Sequence, residues 1–183
     1  MGNKRISWKN RKKLFFMAIY YIFLKWLPDS MFPFFGKLFK YLRYLCCKQI
    51  FAYCGKNVNI ERGVVFGCGF DIEIGNNSGI GINSVVPSDV IIGDNVLMGP
   101  KCFILSFNHS FKDRNKTIKE QGYLEKKQTI VGNDVWIGRE VMFTPGRTVA
   151  DGCVIAARTC LTKDFPSYSI VGGNPSRLIK YRE

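Results

Sequence analysis

A six-residue period constrains this chain more than any other feature. Every sixth residue from Ile74 is apolar: Ile74, Ile80, Val86, Ile92, Met98 and Ile104. The count resumes at Val131 and runs through Ile137, Phe143, Val149, Ile155 and Leu161. In a chain that is 46% hydrophobic, twelve such positions in succession have a chance of roughly one in ten thousand. The residue after each is often small, as at Gly75, Gly81, Gly93, Gly99, Gly132, Gly138, Ala150 and Ala156. Four places on sits a compact or β-branched residue, such as Ser78, Ser84, Val90, Val96, Cys102, Val135, Val141, Cys153 or Thr159. Asn, Asp and Gly, which tolerate positive φ, fall between. An amphipathic helix repeats near 3.6 and an ordinary strand near 2, so neither yields six. Each hexad instead reads as one short strand and one tight corner. Three hexads close a triangular coil, and coils stack at the strand spacing of about 4.8 Å. The expected fold is an all-β solenoid.

The period starts unevenly and breaks once. Ile60 and Phe66 keep the spacing of six, and two extra residues intervene before Ile74. Between Ile104 and Val131 the spacing is no multiple of six, and residues 105–130 are polar. A polar insertion into a regular solenoid must be extruded, and such loops tend to carry function. The chain therefore divides into an N-terminal segment (1–56), a coil region (57–172) with an extruded loop (105–130), and a tail (173–183). Residues 10–52 read as helices broken near Pro28 and Pro33. Leu38, Leu42 and Leu45 recur at helical spacing among Lys37, Lys40 and Arg43. Such helices would cap the exposed end of the first coil, which every solenoid needs.

Charge is unevenly distributed. The net charge is +13, yet residues 1–56 hold 12 Lys or Arg against one acid, Asp29. Only that segment needs an anionic partner, and its aromatic content suits an anionic membrane surface. Lys4, Arg5, Lys9 and Arg11–Lys13 precede the apolar run Leu14–Leu24, which is too short to span a bilayer and lacks a small-residue cleavage site. It reads as a retained helix. Met1-Gly2 is followed at position 6 by Ile rather than Ser or Thr, unlike a myristoylation start. The seven cysteines are odd in number and include no Cys-x-x-Cys. Free thiols in a reducing cytoplasm, without metal, are the expectation. No nucleic-acid recognition motif accompanies the basic charge.

Residues 58–182 resemble the hexapeptide-repeat acyltransferases. The resemblance rests on Ile92–Pro100 (IGDNVLMGP), Asn108-His109, Val131–Gly138 (VGNDVWIG), Thr162-Lys163-Asp164 and Gly173–Arg177 (GNPSR). It is closest to the O-acetyltransferases of bacterial capsular and exopolysaccharide synthesis, with galactoside, maltose and streptogramin acetyltransferases as relatives. It implies a left-handed parallel β-helix, acetyl-coenzyme A as co-substrate, a sugar hydroxyl of a polysaccharide or its precursor as acceptor, and a homotrimer with sites between adjacent prisms. His109, the single histidine, falls where the family places its general base. Imidazole also suits that task on its own chemistry, since a sugar hydroxyl needs a base that titrates near neutrality. The resemblance puts Trp136 near the base, the backbone N–H of Arg139 at the oxyanion and Asn83 at the acceptor. It puts Gly138 and Ala157 along the pantetheine groove, and Thr162, Lys163, Arg177 and Lys180 at the phosphorylated adenosine end. A small-molecule acetyltransferase acting on free sugars or antibiotics shares this chemistry. A silent β-helix scaffold would keep the hexads without needing His109, and a zinc carbonic anhydrase would need three histidines. The acceptor sends the expected location to the cytoplasm, with the basic segment at the inner membrane face.

Overall fold

The computed structural model describes residues 8–183. Lys4, Arg5 and the Met1-Gly2 start lie outside the described residues. Two helices come first, α1 (Trp8–Ile22) and α2 (Gly36–Ile50), with a 3-10 turn at Leu24–Trp26 between them. A triangular stack of parallel strands follows. On its first face lie β1 (Tyr53–Cys54), β3 (Glu73–Ile74), β5 (Ile91–Ile92), β8 (Ile130–Val131) and β11 (Thr148–Val149). On the second, β2 (Asn59–Ile60) pairs with β4 (Gly79–Ile80), and the stack continues through β6 (Leu97–Met98), β9 (Trp136–Ile137), β12 (Val154–Ile155) and β14 (Ser169–Gly172). On the third, Val65 and Val85 bridge to β7 (Phe103–Ile104), followed by β10 (Met142–Phe143) and β13 (Cys160–Leu161).

The hexad explains each strand. All twelve periodic residues are buried, none more than 9% exposed. The residues four places on are buried too and form a second inward row. Two of its polar members are satisfied within the stack. Ser78 Oγ donates to the Gly93 carbonyl at 2.6 Å and accepts from Val96 N–H at 3.0 Å. Ser84 Oγ accepts from Cys102 N–H at 3.0 Å. At each corner of the first two edges one residue takes positive φ. Asn57, Asn77, Asn95, Asp134 and Gly152 line the first edge; Gly63, Asn83, Lys101, Glu140 and Arg158 line the second. Asn is suited to that conformation. On the first edge it also forms a ladder, with Asn57 Nδ2 donating to Asn77 at 3.1 Å and Asn77 Nδ2 to Asn95 at 3.2 Å.

Stacked corner residues are 20 apart across the first coil, 18 in regular coils and 39 across the interruption. The extruded segment is therefore an arm leaving the edge between the third and first faces. It closes on itself where His109 bridges Tyr123 in antiparallel fashion. Two boundaries differ from expectation. The stack already begins at residue 52, because Ala52 and Gly55 N–H donate to the carbonyls of Ile72 and Ile74 at 2.9 Å. Residues 173–183 are no loose tail: β15 (Arg177–Tyr181) folds back antiparallel onto β14.

The helices lie over the first coil. Tyr20 is fully buried against Phe66, and its hydroxyl donates to the Val64 carbonyl at 3.0 Å. Cys46, Cys47 and Ile50 of α2 complete this layer. The leucine stripe of α2 faces the other way. Leu38, Leu42 and Leu45 are exposed, and the buried face carries Arg43 instead. Arg43 turns inward because it has partners there. Its Nε donates to the Ile60 carbonyl at 2.6 Å, Nη1 to Pro28 at 2.9 Å and Leu27 at 3.3 Å, and Nη2 stands 3.6 Å from Glu61. All seven cysteines are unpaired. Among the described residues no helix is long and apolar enough to cross a membrane.

Candidate active site

A groove of about 520 Å³ runs along the second edge, lined by Gly99, Pro100, Trp136, Gly138, Arg139, Val154, Ile155, Ala156 and Ala157. The repeat creates it. Along this edge the residue after the inward hexad residue of the second face sits where coils press together, and it is small at Gly81, Gly99, Gly138 and Ala156. A Cβ on Gly138 would lie 2.6 Å from the Ala157 nitrogen. The trough is therefore walled by backbone. Gly138 N–H donates to Ile155, Glu140 to Pro100 and Arg158 to Arg139. The N–H groups of Arg139 and Ala157 have no acceptor among the described residues. A trough with unpaired donors can pair with a ligand's amides and meet a developing oxyanion. Trp136 stands on the outer side of β9, 57% exposed, at its rim.

Beyond the groove the chain end supplies cations. Thr162 N–H donates to Ser176 Oγ at 3.0 Å, and the two hydroxyl oxygens are 3.1 Å apart. Buried Ser176 fixes the turn that leads into β15, where Arg177 pairs with Gly172 and Lys180 with Ile170. Gly172 in turn lies beside Ala156 of the groove. Lys163 Nζ sits 5.4 Å over the Phe165 ring. Lys163, Arg177 and Lys180 are exposed and have no carboxylate partner among the described residues.

Asn83 lies on the same edge as the groove, its backbone at φ +55°. It is exposed, so the corner geometry and a ligand contact both suit it. His109 is elsewhere. It lies on the arm that leaves the edge between the third and first faces, exposed, its ring centroid 4.3 Å from that of Tyr123. Phe107 packs edge-on to the same tyrosine at 4.8 Å. One chain thus gathers Trp136, Gly138, Arg139 and Ala157 at a single groove and leaves His109 at a different edge. Tyr123 is absent from the sequence-derived set. Its pairing across the arm depends on the strand register within an aperiodic segment, which no spacing announces. Gly99 and Pro100 were findable, since they stand one coil before Gly138-Arg139 once the insertion is removed. Among the described residues no three His, Cys, Asp or Glu side chains gather as metal ligands would.

A triangular parallel β-helix with a backbone-walled trough along one edge defines a class of repeat proteins, and comparison places the chain within it. The family described as "Bacterial transferase hexapeptide (six repeats)" matches residues 71–106. The galactoside O-acetyltransferase of Escherichia coli (strain K12) is 35% identical over 135 residues, covering 73% of this chain and 65% of that protein. A chloramphenicol acetyltransferase of Agrobacterium fabrum is 54% identical over 61 residues, covering 33% of this chain and 29% of that one. The chain spans less than two thirds of either relative. A solved galactoside acetyltransferase in complex with coenzyme A superposes with a TM-score of 0.75 at 29% identity, covering 98% of this chain and 84% of that one. The chain belongs to the hexapeptide-repeat transferase family, and its fold is the left-handed parallel β-helix of that family.

Proposed function

We propose that the protein transfers the acetyl group of acetyl-coenzyme A directly onto a saccharide hydroxyl, with His109 as general base. The observation that carries this reading is the groove on the second edge, with its unpaired Arg139 and Ala157 N–H groups. The pantetheine arm would pair along the backbone at Gly138 and Ala157, and Thr162, Lys163, Arg177 and Lys180 would meet the phosphates. The His109 imidazole takes the proton of the acceptor hydroxyl as that oxygen attacks the thioester carbonyl carbon. The resulting oxyanion accepts from Arg139 N–H. The carbon–sulfur bond then breaks, and the leaving thiolate recovers the proton from the imidazolium. Trp136 shapes the rim, and Asn83 holds the acceptor.

His109 and the groove lie at opposite edges of the third face, so a complete site takes two chains. The outward residues of that face, Val65, Val85, Phe103, Met142 and Cys160, are apolar and suit packing against a second prism. This face and the trimers general in the family support a homotrimer with three shared sites. The acceptor is a unit of a polysaccharide or of its precursor, and the basic helical segment holds the enzyme on an anionic membrane face. The resemblance to a galactoside acetyltransferase favours sugar; that to a chloramphenicol acetyltransferase supports a second reading, a small antibiotic hydroxyl.

The test is an acceptor screen with acetyl-coenzyme A, read by mass spectrometry over oligosaccharides, free sugars and antibiotics. Transfer to a saccharide is expected. His109→Ala should lower turnover by about 10²–10⁴ while coenzyme A binding barely changes. Near-normal turnover in that variant would remove His109 from the base role, and acetylation of antibiotics alone would select the second reading.

A further inference from the structure

The segment between the helices has an unusual construction. Residues 31–35 read Met-Phe-Pro-Phe-Phe, and all five are exposed. Met31 is 87% and Phe34 99% exposed, and Phe34 holds φ +64°. An aromatic residue in the left-handed region is rare and persists only where its surroundings enforce it. The enforcement is visible. Met31 N–H donates to Asp29 Oδ1 at 2.9 Å, Phe35 N–H to Pro33 at 2.8 Å and Gly36 N–H to Phe32 at 2.9 Å. Ser30 is tied to Glu61 through both its N–H and its hydroxyl. The loop thus satisfies much of its own backbone and presents apolar side chains to the outside.

Its surroundings extend the surface. Phe35, Leu38, Leu42 and Leu45 follow at three- and four-residue spacing along α2, and all are exposed. Neither α1 nor α2 contains an acidic residue, while exposed Lys37 and Lys48 flank the stripe. A second copy seated here would bring like charge against like. An anionic bilayer offers both the apolar phase and the opposite charge.

We propose that the 31–35 loop is the element that inserts into an anionic phospholipid bilayer, with the α2 stripe lying along the interface. This rests on the peripheral membrane contact stated above and names where it is made. The placement has a consequence for the reaction. Through Ser30–Glu61, and through Gly63 N–H donating to the Lys25 carbonyl, the loop region is fastened to the start of the second edge. Asn83 follows one coil further along that edge, and the groove begins at Gly99 in the next coil. At about 4.8 Å per coil, the acceptor side of the site lies within roughly 10–15 Å of the docked surface. An acceptor carried on a membrane lipid would be presented to that edge.

The experiment is flotation of the full chain with phosphatidylglycerol/phosphatidylcholine vesicles, comparing the parent with Phe32→Ser/Phe34→Ser/Leu38→Ser. Unfolding midpoint, coenzyme A binding and light-scattering mass are measured on both. The parent should bind, and the triple variant should bind at least tenfold more weakly with its coenzyme A binding and mass unchanged. As an independent readout that does not rely on the triple variant's folding, Phe34→Trp should gain fluorescence quenching by bromolipid vesicles over the parent. Undiminished binding by a folded triple variant, or no added quenching from Phe34→Trp, would overturn the loop assignment while leaving the membrane contact standing. A parent that ignores the anionic vesicles would overturn both. A triple variant of lower mass would assign the surface to contact between copies instead.

Discussion

At the residue scale, the proposed chemistry is divided between one imidazole and a set of backbone groups, and the two were not equally visible in advance. His109 stands out because it is the single histidine and sits where the repeat breaks. The trough lies where small residues recur at fixed places, and the family resemblance puts Gly138 and Ala157 along it. Tyr123 and Phe107 could not be placed, because the arm that pairs them has no period. The thiols show the same contrast between repeat and environment. Cys102 and Cys153 occupy inward positions of the hexad and are buried. Burial pushes the Cys46 and Cys54 thiols up to about 11 and drives Cys47 upward as well. A thiol held protonated reacts slowly with alkylating agents. Cys68, by contrast, is exposed on the widened first coil. Iodoacetamide at neutral pH should modify Cys68 first and leave Cys46, Cys47 and Cys102 until the protein unfolds, which peptide mapping checks. Early modification of Cys47 or Cys102 would mean that the cap or the coils open far more readily than their packing implies.

At the element scale, the coils were legible and the facing of the helices was not. A six-residue period marks which residue points inward, because every hexad repeats one geometry. A helical stripe marks only that two sides differ; it does not say which side meets the coil. In α2 the leucine stripe is exposed, and Arg43 lies on the buried side. The deciding partners are the carbonyls of Leu27, Pro28 and Ile60 and the carboxylate of Glu61, which come from separate parts of the chain. No local pattern announces that meeting. The clamp also makes Arg43 costly to lose. Arg43→Met would fill similar space, leave three carbonyls without their donor and leave Glu61 without its cation. Breaking a buried ionic contact from one side costs about 3–5 kcal/mol, which for a chain of this size lowers the melting temperature by roughly 6–20 °C. Calorimetry on the variant checks this. A shift within 2 °C or so of zero would show that water replaces the guanidinium without penalty and that the cap is held by apolar packing alone.

At the scale of the whole molecule, one chain carries all the candidate groups but does not assemble them. The cation end belongs to the chain that owns the groove. Replacing both Lys163 and Arg177 by Ala should weaken coenzyme A more than its analogue lacking the 3′-phosphate, by calorimetric titration; equal losses would mean that neither residue reads that phosphate. The proposed base is different, because His109 sits on the arm, which leaves the opposite edge of the third face. Sequence could nominate both halves, since each is a local motif, but their separation is a property of the folded prism. The proposed trimer joins the arm of one copy to the groove of the next, and this can be tested by complementation. His109→Ala lacks the base and keeps the groove. Ala157→Trp keeps the base and fills the groove. Each alone should be nearly inactive. Unfolding and refolding the two together in equal amounts mixes the chains, and a site is whole when its arm comes from the second variant and its groove from the first. Random assortment makes about a quarter of the sites whole, so the mixture should recover up to roughly that fraction of parental activity. Recovery near zero, from chains shown by mass spectrometry to have mixed, would mean that the base and the groove act within one chain and that the arm must swing across the third face to reach it.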